Sequence, residues 1–91
     1  MKEMILSIAK FGEILMSRPA GKDAFLMAKA YILNSLKESD EITLDFNDVK
    51  VLTPSWADEF ITGLKQSYSN KISYVNTSNE SVEASLKTVL K

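Results

Sequence analysis

The stretch that most limits what this chain can become is Glu41–Leu64, EITLDFNDVKVLTPSWADEFITGL. From Glu41 to Phe46 polar and apolar residues alternate. A strand would therefore carry Ile42, Leu44 and Phe46 on one face and Thr43 and Asp45 on the other. Asn47-Asp48 is turn chemistry, because short amide and carboxylate side chains hydrogen-bond their own backbone. Val49, Val51 and Leu52 bring the chain back towards a core. Thr53-Pro54-Ser55 then opens a helix, Pro54 fitting the first position, where a missing N–H leaves no bond unmade. Thr53 is one candidate for the cap; Ser55, with Asp58 three residues on, is the other. Ala57, Phe60, Ile61, Leu64 and Tyr68 recur at helical spacing and form an apolar stripe. Asp58 and Glu59 are placed in the first turn, where negative charge suits the helix dipole. Gly63 costs about 1 kcal/mol against Ala inside a helix, so either a neighbour approaches closely there or the glycine is a tolerated surface residue.

The flanking segments supply the rest of an α/β fold. Met4 to Ala9 reads as a strand with Met4, Leu6 and Ile8 on one face. Gly12 offers the positive φ of a tight reversal, so Glu13–Met16 is expected to pair back on the first strand as a hairpin. A helix is expected over Asp23–Lys37, starting either with Pro19 at its first position or only after Gly21. Its stripe is Ala24, Phe25, Ala28, Ile32 and Leu36, broadened by Met27, Tyr31 and Ser35. Lys22, Lys29 and Lys37 mark its solvent side. Ile72–Val75 is a strand, and Thr77 with Glu80 has capping-box spacing for a last helix striped by Val82, Leu86, Val89 and Leu90. Glu83 and Lys87 form an i,i+4 pair on it. The expected order is ββαβαβα: a mixed four-stranded sheet with three helices, in a single domain spanning residues 1–91.

Composition excludes more than it selects. The 91 residues contain no histidine and no cysteine. The commonest general base, the commonest metal ligand and the thiolate nucleophile are thus all absent. The net charge is −1, with no basic cluster dense enough for a nucleic-acid footprint. No apolar run approaches the ~20 residues of a membrane span, and the start lacks a secretory pattern. The reading is a cytoplasmic protein, bacterial in style, that binds neither nucleic acid nor membrane and needs no cofactor.

The remaining acids and bases do not assemble into a catalytic set on paper. Adjacent residues on a helix do not face each other, so Asp58 and Glu59 are not a carboxylate pair. Gly21 fits a helix start better than a phosphate loop. The chain is therefore read as a non-enzyme. Attention falls instead on Thr53-Pro54-Ser55-Trp56. A helix N-terminus presents free N–H groups and partial positive charge, so a phosphate on Ser55 would be welcome there, apart from repulsion by Asp58 and Glu59. Trp56 either packs against the end of the sheet or stands exposed as an anchor for a partner.

LDFNDVKVLTPSWADEFITGL (Leu44 to Leu64) resembles the central segment of STAS domains, the family of bacterial anti-sigma-factor antagonists. In these a strand ending in Leu-Asp-hydrophobic leads through a short loop to a helix whose opening serine is phosphorylated by a partner kinase. It is more closely similar to a STAS-like family of unknown function, in which a serine and an aromatic residue are followed by a glutamate and a Gly-Leu pair; Ser55, Trp56, Glu59, Gly63 and Leu64 match. Leu6–Lys10 and Gly21–Phe25 are also similar to that family's first strand and first helix. By position Ser55 matches the phosphorylated serine, Thr53 the preceding aspartate and Trp56 a glycine. Bulky Trp56 and rigid Pro54 thus stand where a kinase needs access and pliancy.

The resemblance implies a STAS-like, non-enzymatic regulatory module. Its partner would be a protein, such as a GHKL-type ATPase or kinase or another regulator. Contact would run through Ser55 with Thr53, Pro54, Trp56, Asp58 and Glu59. Two other readings stay open. One is a small-ligand or nucleotide-responsive module using the N-terminus of the Pro54 helix as anion site. The other is a structural homodimer, for which a large apolar patch around Trp56 would speak.

Overall fold

The computed structural model describes residues 2–90. In chain order the elements are β1 (Glu3–Ser7), β2 (Ile14–Leu15), α1 (Arg18–Tyr31), β3 (Glu41–Asp45), β4 (Val51–Leu52), α2 (Pro54–Ser67), β5 (Ile72–Val75) and α3 (Glu80–Val89). Short 3-10 turns cover Ile8–Phe11 and Leu33–Ser35. The α/β class and the three helices stand as expected; the sheet does not.

There are two small sheets instead of one mixed four-stranded sheet, and every strand pair is parallel. One sheet has the order β1-β3-β5, the other pairs β2 with β4. The expected hairpin is absent for a local reason. After β1 the chain enters the 3-10 turn, which Gly12 closes through its N–H to the Ala9 carbonyl (3.1 Å) at φ 133°. The Glu13 carbonyl then accepts the Lys50 and Val51 N–H groups (2.8 and 3.0 Å), locking β2 beside β4 and away from β1.

β3 is the central strand. Ile42 and Leu44 are fully buried beside Leu6 of β1, in one core with Phe25 and Ala28 of α1, Phe60, Ile61 and Leu64 of α2, and Val82 of α3. The opposite face carries Glu3, Ile5, Glu41, Thr43, Asp45, Ser73 and Val75, and Ile5 and Val75 on it are exposed. The Thr43 hydroxyl, buried midway across that face, donates to Glu3 Oε2 at 2.5 Å.

Of the two expected starts of α1 the earlier, at Pro19, holds to within a residue, and the helix ends sooner than the pattern suggests. Ser17 caps it by accepting the Ala20 N–H, Pro19 lies in its first turn, and it stops at Tyr31 instead of Lys37. Met27 and Tyr31, although within the helix, do not broaden the buried stripe of Gly21, Ala24, Phe25 and Ala28; they are 55% and 79% exposed. In α3 the cap is Asn79, whose side chain accepts from the Ser81 and Val82 N–H groups, so the Thr77 capping box is not used. The Glu83–Lys87 pair forms at 3.1 Å.

α1 and α2 are drawn together by two glycines. A Cβ on Gly21 would lie 2.5 Å from the Trp56 carbonyl oxygen, and one on Gly63 would lie 2.8 Å from the Phe25 ring. Gly21→Ala is expected to cost ~1–3 kcal/mol, because the obstacle is backbone. Gly63→Ala should cost less: its obstacle is a side chain, and Ala returns about 1 kcal/mol of helix propensity. Urea unfolding of both variants checks the ranking; a reversed order would mean that the buried Phe25 ring cannot yield, and negligible losses in both that the helices can separate freely.

Candidate functional site

The junction singled out in the sequence lies where β3 hands the chain through β4 to α2. At the end of β3 the Asp45 carboxylate accepts from the Asn47 N–H (2.9 Å) and from Asn76 Nδ2 (2.8 Å), tying the loops after β3 and β5 together. Those two bonds, the Asn76 one foremost, hold the Asp45 pKa below the usual carboxylate value. Asp48 (φ 70°) and Asn76 (φ 56°) adopt the left-handed conformation, which Asp and Asn tolerate better than most side chains. Phe46 and Val49 are buried, so the turn is pinned from inside.

Thr53 fixes the start of α2. Its N–H donates to the Leu15 carbonyl (3.0 Å), and its hydroxyl lies within donating distance of the Leu15 and Met16 carbonyls (3.1 and 2.9 Å). The same oxygen accepts the Trp56 N–H at a long 3.5 Å. Thr53 is therefore the cap, and Ser55 is not. Pro54 begins the helix as expected and is exposed, while Ser55 beside it is half-buried.

Trp56 is 2% exposed. Its ring stacks on Phe60 with centroids 5.0 Å apart and meets Phe11 at 6.2 Å, while its backbone lies against Gly21. Of its two readings the structure selects packing. As an exposed anchor, or as the centre of an apolar two-fold patch, it is ruled out by that burial.

Asp58 and Glu59 fall one turn later than supposed, since α2 carries no acidic residue in its first turn. Their partner is a cation instead of the dipole: Arg18, the first residue of α1, reaches Asp58 at 2.7 Å and Glu59 at 3.6 Å. The Thr62 hydroxyl also donates to Asp58 (3.1 Å). The Arg18 hydrogen bond is the main cause of a lowered Asp58 pKa, and Asp58 in turn raises that of Arg18. No local pattern marks Arg18 as a member of this group, because 40 positions separate it from Asp58. Thr53, Pro54, Ser55, Asp58 and Glu59 are thus gathered around one helix start, with Trp56 beneath them.

α3 closes the other side of β4. The Leu52 N–H donates to Ser81 Oγ (3.1 Å), and the Leu52 carbonyl accepts from the buried Ser85 hydroxyl (2.7 Å). Asn79 Nδ2 donates to the Lys50 carbonyl (3.0 Å). Side chains of a helix here do what a neighbouring strand would otherwise do. Nothing in the sequence pattern marks these residues beyond their polarity.

Among the described residues no group of three or more His, Cys, Asp or Glu could hold a metal ion. No helix of theirs is long and apolar enough to cross a membrane. The depression lined by Lys65, Tyr68, Asn70, Ile72, Tyr74 and Leu90, about 460 Å³, lies at the far end of α2 and takes in none of the junction residues.

Residues 29–82 match the model of a family described as STAS-like domain of unknown function (DUF4325). The chain belongs to this STAS-like family. The matched stretch holds β3, β4, α2 and β5 entire, and so the whole junction; the similar segments Leu6–Lys10 and Gly21–Phe25 precede it. No curated protein and no solved structure matches the chain.

Two expectations test this geometry. Asp45 and Asp58 have lowered folded-state pKa values, so the stability they lend is present above the unfolded carboxylate pKa and is lost as pH falls through the folded values. Combining Asp45→Asn with Asp58→Asn should flatten the acid limb of the stability–pH curve; an unchanged limb would mean that other carboxylates set it. Ser85→Ala leaves the buried Leu52 carbonyl without its partner and should cost about 1–3 kcal/mol in urea unfolding. A negligible loss would show that α3 is not held through β4.

Proposed function

We propose that this STAS-like domain is a non-enzymatic regulatory module that meets a protein partner at the junction of β4 and α2, with Ser55 as the residue through which that contact is switched. The observation that carries the reading is the placement of Ser55. It is partly accessible in the first turn of a helix whose start is held by Thr53 from above and by buried Trp56 from below. A rigid rim of this kind offers a partner a fixed shape at little ordering cost.

The electrostatics also favour a phosphorylated form. The repulsion expected from Asp58 and Glu59 is reduced by Arg18. A phosphate one turn earlier would add roughly −1.5 to −2 charge at a helix N-terminus. The resemblance to anti-sigma-factor antagonists points to a GHKL-type kinase as the source of that phosphate. A small free anion is the weaker candidate occupant, because the Thr53 oxygen already takes the Trp56 N–H.

The test is a pull-down from native lysate with wild type, Ser55→Ala and Ser55→Asp, followed by mass spectrometry of the captured proteins and of the bait. Ser55→Ala should fold with a stability change below about 1 kcal/mol, because Ser55 is only half-buried and does not cap the helix. The wild type should retain a partner that Ser55→Asp loses, or the reverse. Identical capture by all three, with no modified Ser55, would end the switch; no capture by any would end the interaction reading.

A further inference from the structure

The sheet β1-β3-β5 ends at β1, and the exposed large apolar side chains concentrate at that end. Ile5 lies on β1, Ile14 on β2 and Met16 just after it, and Met27 and Tyr31 on α1; the exceptions are Leu26, on the side of α1 next to α2, and Val75 on the far strand β5. The side of α1 facing α2 is taken by Gly21 and Phe25. Met27 and Tyr31, one turn apart, lie on the side of α1 turned away from α2. Edge strands are ordinarily protected by proline, lysine, a bulge or a cover. Within β1, Glu-Met-Ile-Leu-Ser, there is none of these residues, and its only charge, Glu3, is tied back to Thr43.

We propose that two copies of this chain join edge to edge through β1, about a two-fold axis at Ile5, forming one continuous sheet with the two α1 helices side by side. The backbone fixes the register. The Glu41 N–H donates to the Lys2 carbonyl (2.9 Å), so Lys2, Met4 and Leu6 turn their backbone groups to β3. Glu3, Ile5 and Ser7 therefore turn theirs outward. An antiparallel pairing centred on Ile5 sets Ile5 against Ile5 and Glu3 against Ser7, each as a hydrogen-bonded pair. No like charges meet, and Ile5, 60% exposed in the single copy, is covered. A strand that is its own complement under a two-fold rotation is what an isologous dimer requires. Met27 and Tyr31 of the two copies then close the seam above the strands.

Sedimentation of the wild type at micromolar concentration should give a dimer. Ile5→Lys, which sets two ammonium groups face to face, should give a monomer with an unchanged circular dichroism spectrum. Should Ile5→Lys fold poorly, Met27→Glu with Tyr31→Glu, both at exposed positions, should give the same loss. Because the chain contains no cysteine, Ile5→Cys can be joined by a short bismaleimide, and it should yield linked dimer where Val75→Cys on β5 does not. A monomeric wild type, a dimer that survives these charges, or equal linking at both positions would overturn the proposal. A strand of some other protein occupying the edge would show as that monomeric wild type.

Discussion

The contact on which this domain depends is the close approach of α1 and α2 through two glycines. Gly21 admits the backbone at Trp56, and Gly63 admits the ring of Phe25. Helices that connect successive parallel strands lie side by side over one sheet face, and here they do so with almost nothing between them at two points. That closeness shapes the whole rim of the domain. Trp56 is pressed inward onto Phe60 and Phe11. Arg18 comes within reach of Asp58 and Glu59. Ser55 is left partly exposed above a buried indole. A wider separation would open a gap beside Trp56, and the dispersion attraction forfeited across a gap is not recovered by relaxation in so small a core.

The second constraint is the size of the strands. β2 and β4 have two residues each, far too few to stand alone. They persist because every neighbour contributes bonds. Glu13 accepts two N–H groups, Thr53 reaches the Leu15 and Met16 carbonyls, and Ser81 and Ser85 serve the other edge of Leu52. Among the described residues no buried side-chain nitrogen or oxygen lacks a partner. The junction is thus held by many weak polar bonds around a short ladder, each of which contributes modestly. Its rigidity belongs to the set of them and not to any member.

How much of this is legible in the sequence depends on how local each signal is. The Pro54 start, the buried faces of β3 and α2 and the strand at Ile72–Val75 all rest on patterns contained within one segment, and they hold in the structure. The pairing of Glu13 with Lys50 and Val51, the Arg18–Asp58 contact and the serine bonds to Leu52 join residues 29 to 40 positions apart. No single-segment pattern carries such pairings. Gly12 does take the positive φ that its type suggests, yet it closes a 3-10 turn instead of a hairpin. The last cap is Asn79 and not Thr77 because the Asn79 side chain reaches two free N–H groups of α3 while its amide nitrogen holds the Lys50 carbonyl.

The alternation in β3 has a physical cause other than the direction of its neighbours. Strands of parallel sheets are usually covered on both faces and read as unbroken apolar runs, whereas alternation is the mark of antiparallel sheets with one wet face. Glu-Ile-Thr-Leu-Asp alternates and yet lies parallel to both neighbours. The reconciliation is that the three helices of the described residues cover one face only, so the other face must be made of groups that water or neighbours can satisfy. Thr43 bonds Glu3, Glu41 pairs with Lys71 at 3.6 Å, and Asp45 is held by Asn76. The polar residues of β3 therefore report the number of helices available to cover the sheet, and not the direction of its strands. Ile5 and Val75 are the two large apolar side chains left over on that face. One lies on each edge strand, where an added strand could cover them without disturbing the polar centre.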